Sequence, residues 1–235
     1  LLQKLAEVKD QTNRPLRVLD AACGTGQHAI ALAKAGMRVA GADLSTEMIA
    51  VARQNAAEAE VNVDFQPAGF GSLAKTFGSK SFDALICLGN SLPHLLSIKE
   101  LEKSVLDFYA CLSPGGLLVI QNRNFDAVLA ARSRWMEPQS HREGDREWVF
   151  QRFYDFEPDG LIHFNIITLH RQAQKDWQAS LTATRLFPQT RQDVENALLN
   201  AGFAHLQVFG SLEEVKFDAQ KSSNLVILAE KPVND

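Results

Sequence analysis

Three polar side chains able to do chemistry lie in two short stretches. Asn90 and His94 belong to Gly89-Asn90-Ser91-Leu92-Pro93-His94, and Arg123 belongs to Arg123-Asn124-Phe125-Asp126. A guanidinium fork matches a carboxylate through two parallel bonds. An amide positions a polar group without protonating it, and an imidazole can take a proton near neutral pH. No carboxylate falls between residues 84 and 99, so no metal is expected there. A second constellation lies upstream. Asp20 ends a small apolar run, Gly24 and Gly26 follow, and Asp43 comes 17 positions past Gly26. Glycines at such a turn allow positive φ and close backbone approach to a ligand. A carboxylate such as Asp43 can accept both hydroxyls of a ribose diol.

Elements of alternating type must position these residues. Residues 16–20, 37–43, 61–65, 82–88 and 117–123 read as strands, with a tight Pro114-Gly115-Gly116 turn before the last. Helices are expected over 27–35 (ended by Gly36), 46–59 (capped by Ser45) and 98–112 (a Ser97/Glu100 capping box). The alternation stops after 123. Extended runs at 147–157, 161–171 and 177–187 read as an antiparallel insert spanning about 124–187, with residues 124–146 irregular. Helix 191–201 and strands 205–209 and 224–230 close the chain. The expected architecture is α/β: a seven-stranded, mostly parallel Rossmann-like sheet in one domain over 1–235, carrying an antiparallel β lid. In such sheets ligands bind beyond the strands' carboxyl ends. Asp20, Asp43, Phe70, Asn90 and Arg123 all sit at or just after such ends.

The turn Gly24-Thr25-Gly26-Gln27-His28-Ala29 alone fits G-x-G-x-x-A, so a nicotinamide dinucleotide competes with other nucleotide-like ligands. Asp20 followed by Ala22-Cys23-Gly24-Thr25-Gly26 discriminates. D-x-x-C-G-T-G after a strand resembles motif I of the class I S-adenosylmethionine (SAM)-dependent methyltransferases. The resemblance implies SAM as cofactor and S-adenosylhomocysteine as product. The backbone at Gly24 and Gly26 then meets the amino-acid end, Asp20 supports the loop and Asp43 takes the ribose. It further places Ala22, Cys23, Leu44, Met48 and Leu88 around the cofactor and maps the adenine position to Ala68-Gly69-Phe70. The family carries Asp or Asn where this chain has Gly69. Backbone contacts and Phe70 packing are expected to compensate.

The runs Cys87-Leu88-Gly89-Asn90-Ser91, His94-Leu95, Pro114 to Ile120 and Arg123-Asn124-x-Asp126 closely resemble the glycine and sarcosine N-methyltransferases, from about Leu16 to Asp126. That resemblance implies Arg123 paired with a substrate carboxylate and Asn90 beside the amine and methyl donor. It also implies aromatic hydroxyls over the site from an N-terminal segment; this chain's two tyrosines are Tyr109 and Tyr154. The expected function is SAM-dependent N-methylation of a small carboxylate-bearing amine. The alternatives are an oxygen or RNA acceptor, a non-catalytic SAM-binding module, and a nicotinamide oxidoreductase.

Composition narrows the partners. Net charge is −4, with 46% hydrophobic and 22% charged residues, so nothing global favours nucleic acid or an anionic membrane. Arg132, Arg134, Arg142, Arg146 and Arg152 interleave with Glu137, Glu143, Asp145 and Glu147, which reads as a solvated mixed-charge surface. No apolar run approaches the roughly 20 residues of a membrane span, and no signal segment is visible. Cys23, Cys87 and Cys111 lack paired spacing and favour a reducing compartment, hence a cytoplasmic protein, with homo-oligomerisation left open.

Overall fold

A computed structural model describes residues 14–233. Its main sheet has seven strands: β1 (Arg17–Ala21), β2 (Arg38–Asp43), β3 (Val63–Pro67), β4 (Phe82–Cys87), β5 (Leu112–Arg123), β10 (Ala204–Phe209) and β11 (Asn224–Glu230). They are ordered β10-β11-β5-β4-β1-β2-β3. β3, β2, β1, β4 and β5 are parallel; β11 runs antiparallel to β5, and β10 antiparallel to β11. The expected α/β sheet is therefore present. Its order reverses between β1 and β4, which opens a crevice at their carboxyl ends.

The strands are central because both faces are covered. Every residue of β4 is buried. On one face Leu32 of α1 (Gln27–Lys34) and Ile49 and Ala52 of α2 (Thr46–Glu58) pack against Val18, Phe65 and Ile86. On the other, Leu101, Val105 and Phe108 of α4 (Ile98–Cys111) pack with Val194 and Leu198 of α6 (Arg191–Asn200), over Leu19 and Leu85. Each fully buried Leu, Val or Phe side chain contributes about 1.5–3 kcal/mol, so these two layers set the frame rigidly.

The helix boundaries follow local chemistry. The Ser45 hydroxyl accepts from Met48 N at 3.1 Å, and Thr190 and Asp193 form a reciprocal capping box. Ser97 accepts from Glu100 N, but the Glu100 carboxylate accepts instead from Leu96 N at 2.6 Å, so the expected box is displaced by one residue. Strand three starts at Val63, two residues later than the apolar pattern suggests. Pro114-Gly115-Gly116 is not a turn preceding β5. It lies inside that strand as a bulge, where the register with β4 slips between Phe82/Leu112 and Ala84/Leu117. The short α3 (Leu73–Phe77) was not foreseen; its first N–H groups donate to the Asp107 carboxylate on α4.

The insert has four strands rather than the three expected: β6 (Gln139–Glu143), β7 (Arg146–Phe156), β8 (Ile162–Gln172) and β9 (Gln178–Leu186), paired antiparallel in that order. The irregular 124–146 stretch also yields α5 (Phe125–Ala131), capped by Asn124. Phe125 and Val128 of α5 pack with Tyr154, Ile162 and Leu186 in a third apolar cluster that joins α5 to the insert's strands. Its arginines are engaged locally: Arg134 pairs with Asp155 and Arg171 with Glu147, while Arg132 lies over the Phe156 ring. No helix among the described residues is long and apolar enough to cross a membrane.

Candidate active site

The loops after β1, β2, β3 and β4 enclose a cleft of about 490 Å³ at the switch point. Ala22 comes from the first loop, Asp43 and Leu44 from the second, Ala68, Gly69 and Phe70 from the third, and Ser91, His94 and Leu95 from the fourth. Residues up to 73 positions apart thus meet because parallel strands deliver their carboxyl ends to one edge.

The glycine loop is built around Asp43. Its Oδ2 accepts from Gly24 N at 2.8 Å and its Oδ1 from Ser45 N at 2.9 Å. Each carboxylate oxygen keeps further lone-pair capacity, directed at the cleft that Asp43 lines. Cys23 N donates to Ala42 O, and its buried thiol, raised to about 12 by burial and then by Asp20 and Asp43, is inert. Gly26 opens α1 at φ 82, and a Cβ there would lie 2.7 Å from the Phe65 ring. Only glycine satisfies both constraints. Gly24, at φ 54, has open space where a side chain would project.

Asp20 lies beneath this loop, 1% exposed. Burial raises its pKa to about 7, against the Ala29 backbone N–H that hydrogen-bonds the carboxyl; the Asp43 charge adds to the rise. Its Oδ2 has no hydrogen-bond partner among the described residues. At the other end the cleft is apolar. Leu44 is 81% exposed and touches the position a Gly69 side chain would take, so a bulkier residue at 69 would compete with Leu44. Phe70 lines the cleft and also stacks edge-on against Phe108 at 5.5 Å, serving wall and core together. A carboxylate on the cleft wall, an apolar slot and a buried acceptor without a partner among the described residues fit an adenosyl group carrying a charged amino-acid tail.

The fourth loop and the end of β5 form one hydrogen-bonded unit. Gly89 N donates to Gln121 Oε1 at 2.9 Å, Asn90 N to Gln121 O at 3.1 Å, and Arg123 N to Asn90 Oδ1 at 2.8 Å. A backbone N–H can be met only by the amide oxygen, so the Asn90 NH₂ group points away from β5. The Arg123 guanidinium has no hydrogen bond or ion pair among the described residues. Its nearest identified electrostatic neighbour is buried Tyr154, whose pKa burial raises and Arg123 partly lowers. His94 sits on the cleft wall, where partial burial of its ring lowers its pKa.

Not every residue singled out in the sequence reaches the cleft. Leu88 is a core residue whose carbonyl accepts from the Ser91 hydroxyl. Met48 is half-exposed in the first turn of α2, and Asn90 and Arg123 adjoin the cleft through Ser91 rather than lining it. Tyr109 packs against Phe203 and Lys231 and is not among the residues that line the cleft. Ser91, Leu95 and Gln121 were missed. Ser91 and Leu95 fall inside the motif already singled out; Gln121 carried no signal, because its role is to accept one hydrogen bond across strands. Among the described residues no group of three or more His, Cys, Asp or Glu is gathered to hold a metal.

Comparison with known proteins agrees with this geometry. A family model described as a methyltransferase domain matches residues 18–116. The glycine/sarcosine N-methyltransferase of Aphanothece halophytica is 30% identical over 206 residues, covering 84% of this chain and 70% of that protein. The corresponding enzyme of Halorhodospira halochloris is 40% identical over 118 residues, 48% of this chain and 42% of that protein, so the chain spans under half of that relative's length. Among solved structures, a SAM-dependent methyltransferase from Clostridium acetobutylicum superposes with a TM-score of 0.79 at 16% identity, covering 98% of this chain and 90% of that one. CalS10, a SAM-bound amino pentose methyltransferase from Micromonospora echinaspora, superposes at 0.73 with 19% identity over 98% of this chain and 89% of that one. The chain belongs to the class I SAM-dependent methyltransferases.

Proposed function

We propose that this methyltransferase transfers the SAM methyl group to the nitrogen of a small amine bearing a carboxylate, of the glycine or sarcosine type. One observation carries the proposal: the Arg123 guanidinium, unpartnered among the described residues, is anchored by its own backbone to Asn90 beside the cleft. A free guanidinium at a site mouth is a carboxylate receptor. The relatives named as glycine/sarcosine N-methyltransferases support the same acceptor class.

In this reading Asp43 holds the ribose diol, and Leu44, Ala68, Gly69 and Phe70 enclose the adenine. The backbone around Ala22 to Gly26 and buried Asp20 face the amino-acid end. Bound SAM supplies an electrophilic methyl on a sulfonium. The chain's own residues do the rest by positioning. Arg123 takes the acceptor carboxylate bidentately, and the Asn90 NH₂ adds a third donor to it. Because both groups spend their N–H donors on the carboxylate, neither is left to occupy the amine lone pair. The amine must arrive neutral, and His94, kept basic-form by its lowered pKa, is the titratable group placed to take its proton. Leu44 and Leu95 keep bulk water from the apolar side.

The test is a methyl-release assay over glycine, sarcosine and their amide and decarboxylated analogues. Turnover that requires the carboxylate supports the reading. Equal turnover of methylamine and glycine would overturn it.

A further inference from the structure

The fourth loop carries an uncommon backbone. Gly89 and Asn90 are both left-handed, at φ 78 and 66. Consecutive left-handed residues, one of them not glycine, do not persist without outside support. Within the loop the Ser91 hydroxyl donates to Leu88 O, and the support from outside it comes from β5. The Gln121 side-chain oxygen accepts from Gly89 N, its main-chain oxygen accepts from Asn90 N, and Asn90 Oδ1 accepts from Arg123 N. Of these three bonds only the first and last depend on side chains, and Asn90 is itself part of the binding unit. Gln121 is half-exposed and does not itself line the cleft.

We infer that Gln121 is a positioning residue: its side chain clips the 89–90 turn to β5 and thereby fixes how Asn90 faces the acceptor. The inference rests on the reading that this loop faces the acceptor while the β1 to β3 loops hold SAM. The two groups of loops are separable, because Gln121 makes no bond to the elements around Asp20, Asp43 or Ala68. Loss of the clip therefore acts on acceptor binding and leaves SAM binding alone. Only the oxygen of Gln121 is used, so a carboxylate at the same place can substitute for the amide.

The experiment compares Gln121→Leu with Gln121→Glu, with Gln121→Ala in reserve should the leucine variant not fold. Hydrogen–deuterium exchange over residues 86–95 reads the clip directly, without any acceptor. Exchange at Gly89 and Asn90 rises about five- to tenfold in Gln121→Leu, the loss of one hydrogen bond, and stays within about twofold in Gln121→Glu. With glycine and sarcosine as acceptor probes, KM rises by a similar factor in the leucine variant, while the affinity for S-adenosylhomocysteine is unchanged by calorimetry. Unchanged exchange in Gln121→Leu overturns the inference, as does a parallel loss of S-adenosylhomocysteine affinity. If the parent protein methylates neither probe, the acceptor assignment falls, and the exchange and calorimetry arms still decide the clip.

Discussion

The backbone N–H of Arg123 donates to Oδ1 of Asn90 at 2.8 Å, joining residues 33 positions apart. One bond thereby orients two side chains. It engages the amide oxygen of Asn90 and so turns its two N–H groups away from β5. It also pins the Cα of Arg123, so the guanidinium swings from a fixed root. On the proposed function, an acceptor carboxylate meets donors from both residues.

Arg123→Ala should therefore raise KM for a carboxylate-bearing amine by about 10–100-fold, the worth of charge-assisted hydrogen bonds. Arg123→Lys keeps the charge but not the fork and should recover only part of this loss. Steady-state kinetics with glycine and sarcosine measure it. The affinity for S-adenosylhomocysteine should not change, because Arg123 is remote from Asp43 and Ala68 in the loop arrangement.

Asp43→Ala removes the acceptor of two backbone N–H groups, Gly24 and Ser45, together with the ribose contact proposed for it. Each donor left unpaired costs about 1–3 kcal/mol. Calorimetry with S-adenosylhomocysteine should show at least about a hundredfold weaker binding. A loss in melting temperature should accompany it.

Gly26→Ala forces a Cβ to 2.7 Å from the Phe65 ring and places a side chain at φ 82. Destabilisation of about 2–4 kcal/mol is expected from overpacking and backbone strain together. Phe65→Leu in the same background should relieve the overpacking and leave the strain. Denaturant unfolding of the two single variants and the double variant separates these contributions.

The Asp20 pKa, about 7 against an ordinary 3.8, makes stability depend on pH. Between those values the folded state holds a proton that the unfolded state has released. Stability is thus full below about pH 4 for this group and falls as pH rises towards 7. Asp20→Asn, which keeps an acceptor for Ala29 N–H, should flatten this fall and be more stable than the parent at pH 8 by up to about 4 kcal/mol. Urea unfolding at pH 5 and pH 8 checks the sign; a parent that gains on the variant as pH rises refutes it.

His94→Gln retains a polar side chain on the cleft wall and removes the base. If His94 takes the amine proton, kcat at pH 7 falls about 10²-fold or more with cofactor affinity intact. A fall of less than about threefold at every pH assigns His94 to the wall alone.

Much of this was legible in the sequence because it is local. The Asp20 to Gly26 loop depends on the strand–turn–helix order and on a glycine at a left-handed position. The caps at Ser45 and Thr190 depend on side chains within three residues. The sheet class followed from alternating strands and helices. Register and cross-strand bonding are not local. The bulge at Pro114–Gly116, the fourth insert strand β6, whose residues are all exposed and so carry no apolar pattern, and the Gln121 clip are set by which strands lie side by side. The resemblance of the sequence to the glycine and sarcosine N-methyltransferases, with which the residue chemistry agrees, marked Asn90 and Arg123 for a carboxylated amine. Only the tertiary structure decided that the Asn90 oxygen accepts from the Arg123 N–H, which turns its NH₂ group from β5, because a hydrogen bond across β4 and β5 exists only once those strands are paired.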